Sequence, residues 1–182
     1  MTAVLLAAGK SSRTSVLKQL YRVRGEYLIN IQARVLRSYG FRVAVVLGYE
    51  YEKICSVLDS DVTVVYNKEY EEGMFSSVKK VFEVLDDERF IFCHIDRPVP
   101  DPAVFEALLQ SESAIAVAFY KGKKAPPIRI DISMKKPLLD SALKRLDHWI
   151  EAEDDVAYVE VDDPKVHCNA NTDKELVKCF GQ

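Results

Sequence analysis

The chain has 182 residues, of which 48% are apolar and 29% charged, with a formal charge of -3. That much apolar material supports one sizeable core and predicts a single domain over residues 1–182. The charge balance lacks the net basic surface of a nucleic-acid binder, and no apolar stretch approaches the ~20 residues of a membrane helix, so neither nucleic acid nor membrane is an expected partner.

The first apolar run, Ala3–Ala7, has no basic region ahead of it and leads straight into a polar loop, so it reads as a strand and not as a signal peptide. Tyr27–Ser38 predicts a helix, with Ile31, Val35 and Leu36 on one side at amphipathic spacing. The pattern then alternates: strand Arg42–Leu47, helix Tyr51–Leu58, strand Val62–Tyr66, helix Ser76–Leu85, strand Phe90–Ile95, helix Pro102–Leu109, strand Ser113–Phe119. Strands that are apolar nearly throughout, alternating with helices, indicate an α/β fold: three layers, Rossmann-like, around a mostly parallel sheet. Phe90–Ile95 is the most apolar of these runs and should be central. After Gly122 the alternation is broken by Pro126, Pro127 and Pro137. Arg129–Ile132 reads as a short strand and Pro137–Leu146 as a helix whose end Trp149 and Ile150 anchor to the core. The acidic run Glu151–Asp155 precedes a strand at Ala157–Val161, and Thr172 with Glu175 forms a capping box for a last helix. Lys121, Lys123 and Lys124 read as a solvated loop.

Cys55, Cys93, Cys168 and Cys179 form no C-x-x-C pair and no zinc spacing with histidine. Cys55 and Cys93 lie in apolar contexts as small core residues, and a reducing compartment, the cytoplasm, fits this usage. Cys168 is a thiol and a poor ligand for magnesium.

The chemistry concentrates at the first strand's end. Leu6-Ala7-Ala8-Gly9-Lys10-Ser11-Ser12-Arg13, with Lys18 following, is a small-residue loop carrying well-spaced cations. Gly9 lets backbone N–H groups approach a polyphosphate, and Arg13 and Lys18 supply charge for its oxygens. A P-loop would need glycine where Val4 stands, and the dinucleotide fingerprint G-x-G-x-x-G is absent, which disfavours an NAD-dependent oxidoreductase. A polar loop with ordinary solvated cations is the plain alternative. Asp96 ends the buried Phe90–Ile95 strand, and Pro98 blocks its continuation. A carboxylate there needs a partner: a metal ion, a loop N–H that it caps, or Arg97.

Five blocks in order carry a family resemblance. They are Leu6–Arg13 with Lys18, Gly25-Glu26-Tyr27-Leu28-Ile29, Gly73-Met74-Phe75-Ser76-Ser77-Val78, His94-Ile95-Asp96-Arg97-Pro98, and Asn169-Ala170-Asn171-Thr172-Asp173-Lys174-Glu175-Leu176. Together they resemble the MobA-like nucleotidyltransferases, above all the molybdenum cofactor cytidylyltransferase branch. The resemblance implies transfer of a nucleotidyl group from an NTP to a small phosphorylated or hydroxylated acceptor, with pyrophosphate released. It implies Lys18 near the α-phosphate and Arg13 on the outer phosphates. Leu6, Ala7, Ala8, Gly9, Ser11, Ser12, Ser76 and Ser77 become candidate nucleotide contacts. Asp96 and Asn171 become ligands of magnesium, which takes few protein oxygens and keeps its waters. Ala7-Ala8-Gly9 and the Gly73–Val78 block match the cytidine form, so CTP is the expected donor. Residues 123–163 correspond to an acceptor-side extension of the same domain. As alternatives, Asn169 and Asn171 organise a turn, and Ser76 and Ser77 simply begin a helix. His94 reads as a packed strand residue; His148 and His167 have no evident partner.

Three departures stand out. Ser15 occupies a family glycine, Ala125-Pro126-Pro127-Ile128 stands where the branch has G-H-P-V, and Asp173 replaces a proline. Ser15, the missing histidine and Asn171, where other branches carry Asp, leave open a second reading: a catalytically weakened nucleotide-binding regulator or partner protein of the same fold.

Overall fold

A computed structural model describes residues 1–181. Seven strands form the main sheet: β1 (Thr2–Leu6), β4 (Arg42–Leu47), β5 (Thr63–Tyr66), β6 (Arg89–His94), β7 (Ile115–Tyr120), β8 (Lys123–Asp131) and β9 (Val156–Glu160). Their order is β5-β4-β1-β6-β8-β7-β9, and β8 alone runs against its neighbours. Parallel neighbours need crossovers, and helices supply them: α1 (Leu28–Ser38), α2 (Tyr51–Cys55), α3 (Met74–Val84) and α4 (Pro102–Gln110). Three further helices follow: α5 (Lys135–Asp140), α6 (Leu146–Ala152) and α7 (Asp173–Phe180).

Both faces of the sheet are covered, which explains the unbroken apolar strands. In β1, Val4 and Leu6 pack with Phe75, Val81, Phe82 and Trp149 on one side. Ala3 and Leu5 pack with Leu28, Ala33, Leu36 and Phe105 on the other. The period of two is present, but burial on both faces hides it from a polar/apolar reading. β6 is the fourth of seven strands, central as its composition demands.

Several expectations need correction. In α1 the buried face is Leu28, Ile29, Gln32, Ala33 and Leu36, whereas Ile31 and Val35 are half-buried at its margins. The helix expected over Tyr51–Leu58 stops at Cys55. The short strand at Arg129–Ile132 is the end of the nine-residue β8. There the register shifts between Val117 and Ala118, which pair with Ile128 and Ala125 and leave Pro126 and Pro127 unpaired. Proline has no N–H for a ladder, so two prolines inside a strand require such an irregularity. The single helix expected over Pro137–Leu146 is two helices, α5 and α6, parted by an exposed crossing at residues 142–145. The Lys79 ammonium donates to the carbonyls of Leu139 and Ser141 at 3.4 and 2.5 Å, replacing the intrahelical donors that would have continued α5. Trp149 and Ile150 are buried within α6. The sequence reading also missed a two-stranded hairpin, β2 (Arg22–Val23) with β3 (Glu26–Tyr27). Arg24 and Gly25 both have positive φ there, as the tight turn requires.

Cys93 and Cys55 are free thiols, the first buried in the core as expected and the second only half-buried, whereas the other pair is not free. Cys168 and Cys179 are joined by a disulfide, with Cα atoms 6.1 Å apart. The capping box of Thr172 and Glu175 starts α7 in a direction that carries Cys179 back beside Cys168. Cys93 is buried, and desolvation pushes its thiol up to about 12. No helix among the described residues is long and apolar enough to cross a membrane.

Phe82 is fully buried and touches Phe90 and Phe92 edge-on and stacked, with centroids 4.9 and 6.2 Å away. Phe82→Ala is expected to lower unfolding free energy by about 3–5 kcal/mol, read as a lower urea midpoint at unchanged slope.

Candidate functional site

β1 and β6 lie side by side, with Leu6 opposite His94, and the chain leaves both strands at the same edge of the sheet. β4 and β5 lie on one side of β1 and β6 on the other, so the connections reverse direction between β1 and β6. Such a point opens a crevice beyond the strand ends. Gly9 and Asp96 both fall there.

The loop after β1 is held from below by Gln19, which lies on a short 3-10 turn, Lys18–Leu20, and is 1% exposed. Its amide nitrogen donates to the carbonyls of Ala7 and Gly9 at 2.6 and 3.1 Å. The Ser11 hydroxyl accepts the Lys18 N–H at 3.0 Å, and Ser11 itself takes the left-handed conformation, φ 52°. The Thr14 hydroxyl reaches the carbonyls of Ser11 and Val16. A Cβ built on Gly9 would meet no atom within 4 Å, so the loop faces open space there.

Lys18 is 8% exposed and connects the distant parts of the site. Its ammonium donates to Asp96 Oδ2 at 3.2 Å and to Asn171 Oδ1 at 3.3 Å. Arg13 donates to the same Asn171 oxygen at 2.8 Å. The Asn171 segment is fixed in turn: Ala170 N–H donates to the Asp96 carbonyl at 2.8 Å, and Glu175 accepts from the N–H groups of Asn171 and Thr172, both at 3.0 Å. Hydrogen bonds from Thr172 and then Asn171 hold the Glu175 carboxyl below its usual range. Asp96 Oδ1 and Asn169 Oδ1 are buried and have no hydrogen-bond partner among the described residues. Among the described residues no cluster of three or more His, Cys, Asp or Glu is placed to hold a metal.

Two cavities meet at this edge. The smaller, about 270 Å³, is lined by Leu6, Ala8, Gly9, Ser11, Lys18 and Asp96, with Ser77 and Tyr70 opposite. The larger, about 640 Å³, lies toward β8 and α6. Gly73, Met74 and His94 line both.

Lys18, Arg13, Asp96 and Asn171 are therefore in one hydrogen-bonded group. Three expected contacts are not in the smaller cavity. Ala7 is buried in the core beneath it. Ser12 is exposed in the turn. The Ser76 hydroxyl is engaged with the Glu69 and Gly73 carbonyls, both at 2.8 Å. Ser77 does line the cavity and accepts a hydrogen bond from Asn67 at 3.0 Å. Lys10 is exposed and paired with Glu71. Asp96 does not pair with Arg97; its ion-pair partner is Lys18. Ser15 is accommodated without strain: it is exposed, its φ is not left-handed, and its N–H donates to Asp173 at 2.9 Å. His94 is more than a packing residue, since it faces both cavities. Burial lowers its pKa to about 4 against the opposing pull of Asp96, so the imidazole is neutral near pH 7. Gln19, Tyr70 and Arg97 were missed by sequence reasoning, because nothing in a lone Gln, Tyr or Arg says which way its side chain turns.

The family model for the MobA-like NTP transferase domain matches residues 3–159. The molybdenum cofactor cytidylyltransferase of Escherichia coli (strain K12) is 24% identical over 148 residues, 78% of this chain and 73% of that one. Among solved structures, a nucleotidyl transferase from Methanothermobacter superposes with a TM-score of 0.85 at 18% identity, covering 99% of this chain and 95% of the other. Rv0371c from Mycobacterium tuberculosis H37Rv, in complex with manganese, gives a TM-score of 0.78 at 17% identity, covering 100% of this chain and 98% of the other. These two likenesses concern the fold. The family match spans most of the chain, including the loop after β1, Lys18 and Asp96, and the chain belongs to the MobA-like NTP transferase family, whose members are nucleotidyltransferases.

Proposed function

We propose that this protein transfers a cytidylyl group from CTP to a small phosphorylated or hydroxylated acceptor, the donor occupying the smaller cavity and the acceptor the larger. One observation carries the reading: Lys18, a cation buried to 8% exposure, stands 3.2 Å from Asp96 and 3.3 Å from Asn171 under an open glycine loop. That is a cation and a set of oxygens at one point, which is what a metal-bound triphosphate needs on its two sides. Preference for CTP rests on the Ala7-Ala8-Gly9 form of the loop and on the similarity to the cytidylyltransferase.

In this reading the backbone N–H groups around Gly9 and the Ser11 hydroxyl hold phosphate oxygens. Arg13 neutralises the outer phosphates, and Lys18 meets the charge that develops around the α-phosphorus. The donor set suits magnesium: a carboxylate with one oxygen unpartnered in a buried position and an amide carbonyl, both hard oxygen ligands. Asp96 and Asn171 would hold the ion, which when bound polarises the phosphates and draws off the leaving group's charge. The chain's own work is otherwise positioning and exclusion of water. Gln19 keeps the loop open toward the cavity. The junction at Gly73, Met74 and His94 brings acceptor and donor together. Pro126, at the place of the branch's histidine, lines the larger cavity without an N–H or side-chain donor, so an acceptor contact of that branch is missing here.

Pyrophosphate release measured with each of the four NTPs and a panel of phosphorylated and hydroxylated acceptors tests the reading. CTP is expected to give the highest rate, and EDTA to abolish it until magnesium is restored. Lys18→Ala and Asp96→Asn are each expected to cut transfer by roughly 10²–10³-fold while far-UV circular dichroism is unchanged; wild-type turnover in either variant overturns the assignment. Gln19→Leu leaves the buried Ala7 carbonyl without its donor. It is expected to cost roughly 1–3 kcal/mol of stability and to raise KM for the NTP more than it lowers kcat.

A further inference from the structure

Four cations line the larger cavity, and three already have carboxylate partners. Lys124 is bridged to Glu151, Lys144 stands 3.5 Å from Glu72, and Arg145 grips Asp147 at 3.0 and 2.6 Å. Arg97 is different. Among the described residues no carboxylate lies within ion-pair reach of it. Its Nη1 donates to the Val166 carbonyl at 2.6 Å, and among the described residues its buried Nε has no partner and its Nη2 makes no hydrogen bond. A guanidinium stays charged in proteins, and a part-buried cation without a direct ion-pair partner is costly. Arg97 lines the larger cavity and not the smaller one, beside His94, which lines both. Apart from His94 and the carboxylates Glu72 and Asp147, the rest of the larger cavity's lining is apolar, with Phe75, Val117, Ile128, Leu146 and Ile150 its larger members.

We propose that Arg97 is the specificity-determining residue for the acceptor: it holds the phosphate monoester of an acceptor whose apolar body lies on that apolar lining, and it aims a phosphate oxygen at the donor's α-phosphorus. The proposal rests on the transfer reading only for which cavity takes the acceptor. The balance is simple. The acceptor's phosphate oxygen forms a new bond to the α-phosphorus, the bond from the α-phosphorus to the oxygen bridging toward the β-phosphorus breaks, and pyrophosphate leaves with that electron pair. A dianionic phosphate attacks with a lone pair and has no proton to lose, whereas a hydroxyl needs a base. The Val166 contact fixes one side of the guanidinium, so the free side is oriented before the acceptor arrives.

Calorimetric titration of the full chain with phenyl phosphate, and with benzyl alcohol as the uncharged counterpart, tests this without any turnover. The wild type is expected to bind phenyl phosphate about tenfold or more tightly than benzyl alcohol. Arg97→Gln is expected to lose about tenfold or more of the phenyl phosphate affinity while affinities for benzyl alcohol and CTP stay unchanged; Arg97→Lys falls between. Undetectable phenyl phosphate binding, equal affinity in wild type and Arg97→Gln, or a loss in Lys18→Ala that Arg97→Gln does not share would each overturn the proposal. If Arg97→Gln does not fold, the wild-type pair of titrations and Arg97→Lys decide: benzyl alcohol bound as tightly as phenyl phosphate, or Arg97→Lys indistinguishable from wild type, overturns it. Absence of pyrophosphate release strikes the transfer reading and leaves this binding result standing.

Discussion

The ion pair between Lys18 and Asp96 holds this site together. Its partners come from segments 78 residues apart in sequence, and Asn171, a further 75 residues beyond Asp96, joins them through the same ammonium. Neither charge is well solvated, since the side chains are 10% and 24% exposed. Charges at that depth persist because each supplies the other's counter-charge and the remaining donors are shared. An ammonium has three donors, and two are used here. The pair therefore joins the two sides of the crevice while keeping a buried carboxylate oxygen unpaired and the glycine loop clear.

The sheet explains why those segments meet. Parallel β1 and β6 end at one edge, and the reversal of connectivity between them leaves that edge uncovered. Antiparallel β8, packed against β6, then builds a wall beside the crevice, and its two unpaired prolines turn the strand where the larger cavity begins. One half of the fold thus supplies a small recess around the Lys18–Asp96 pair and the other a wider one with apolar residues between charged ones. Gly73, Met74 and His94 are the boundary between them.

Regular elements buried on both faces were readable because a continuous apolar run has few other homes. Arg42–Leu47 and the capping box at Thr172 are found where the pattern puts them. Short or irregular pieces were not readable. Two-residue strands such as Arg22–Val23 carry no periodicity, and the break between α5 and α6 depends on Lys79, a side chain from α3 that reaches across to the carbonyls of Leu139 and Ser141. The disulfide between Cys168 and Cys179 was equally hidden, because pairing depends on where α7 is carried and not on spacing. In the site, the residue types of Arg13, Lys18, Asp96 and Asn171 were legible, and the roles of Gln19 and Arg97 were not.

The order of residues alone determined that this chain would form a covered, mostly parallel sheet with a cationic small-residue loop at one strand end and an acid at another, since apolar runs and chain punctuation are local properties. Which groups meet was decided only on folding. Lys18 chose Asp96 while Arg97, the acid's immediate neighbour in sequence, turned away to the Val166 carbonyl, because a side chain's direction is set by the packing around it and not by its distance along the chain.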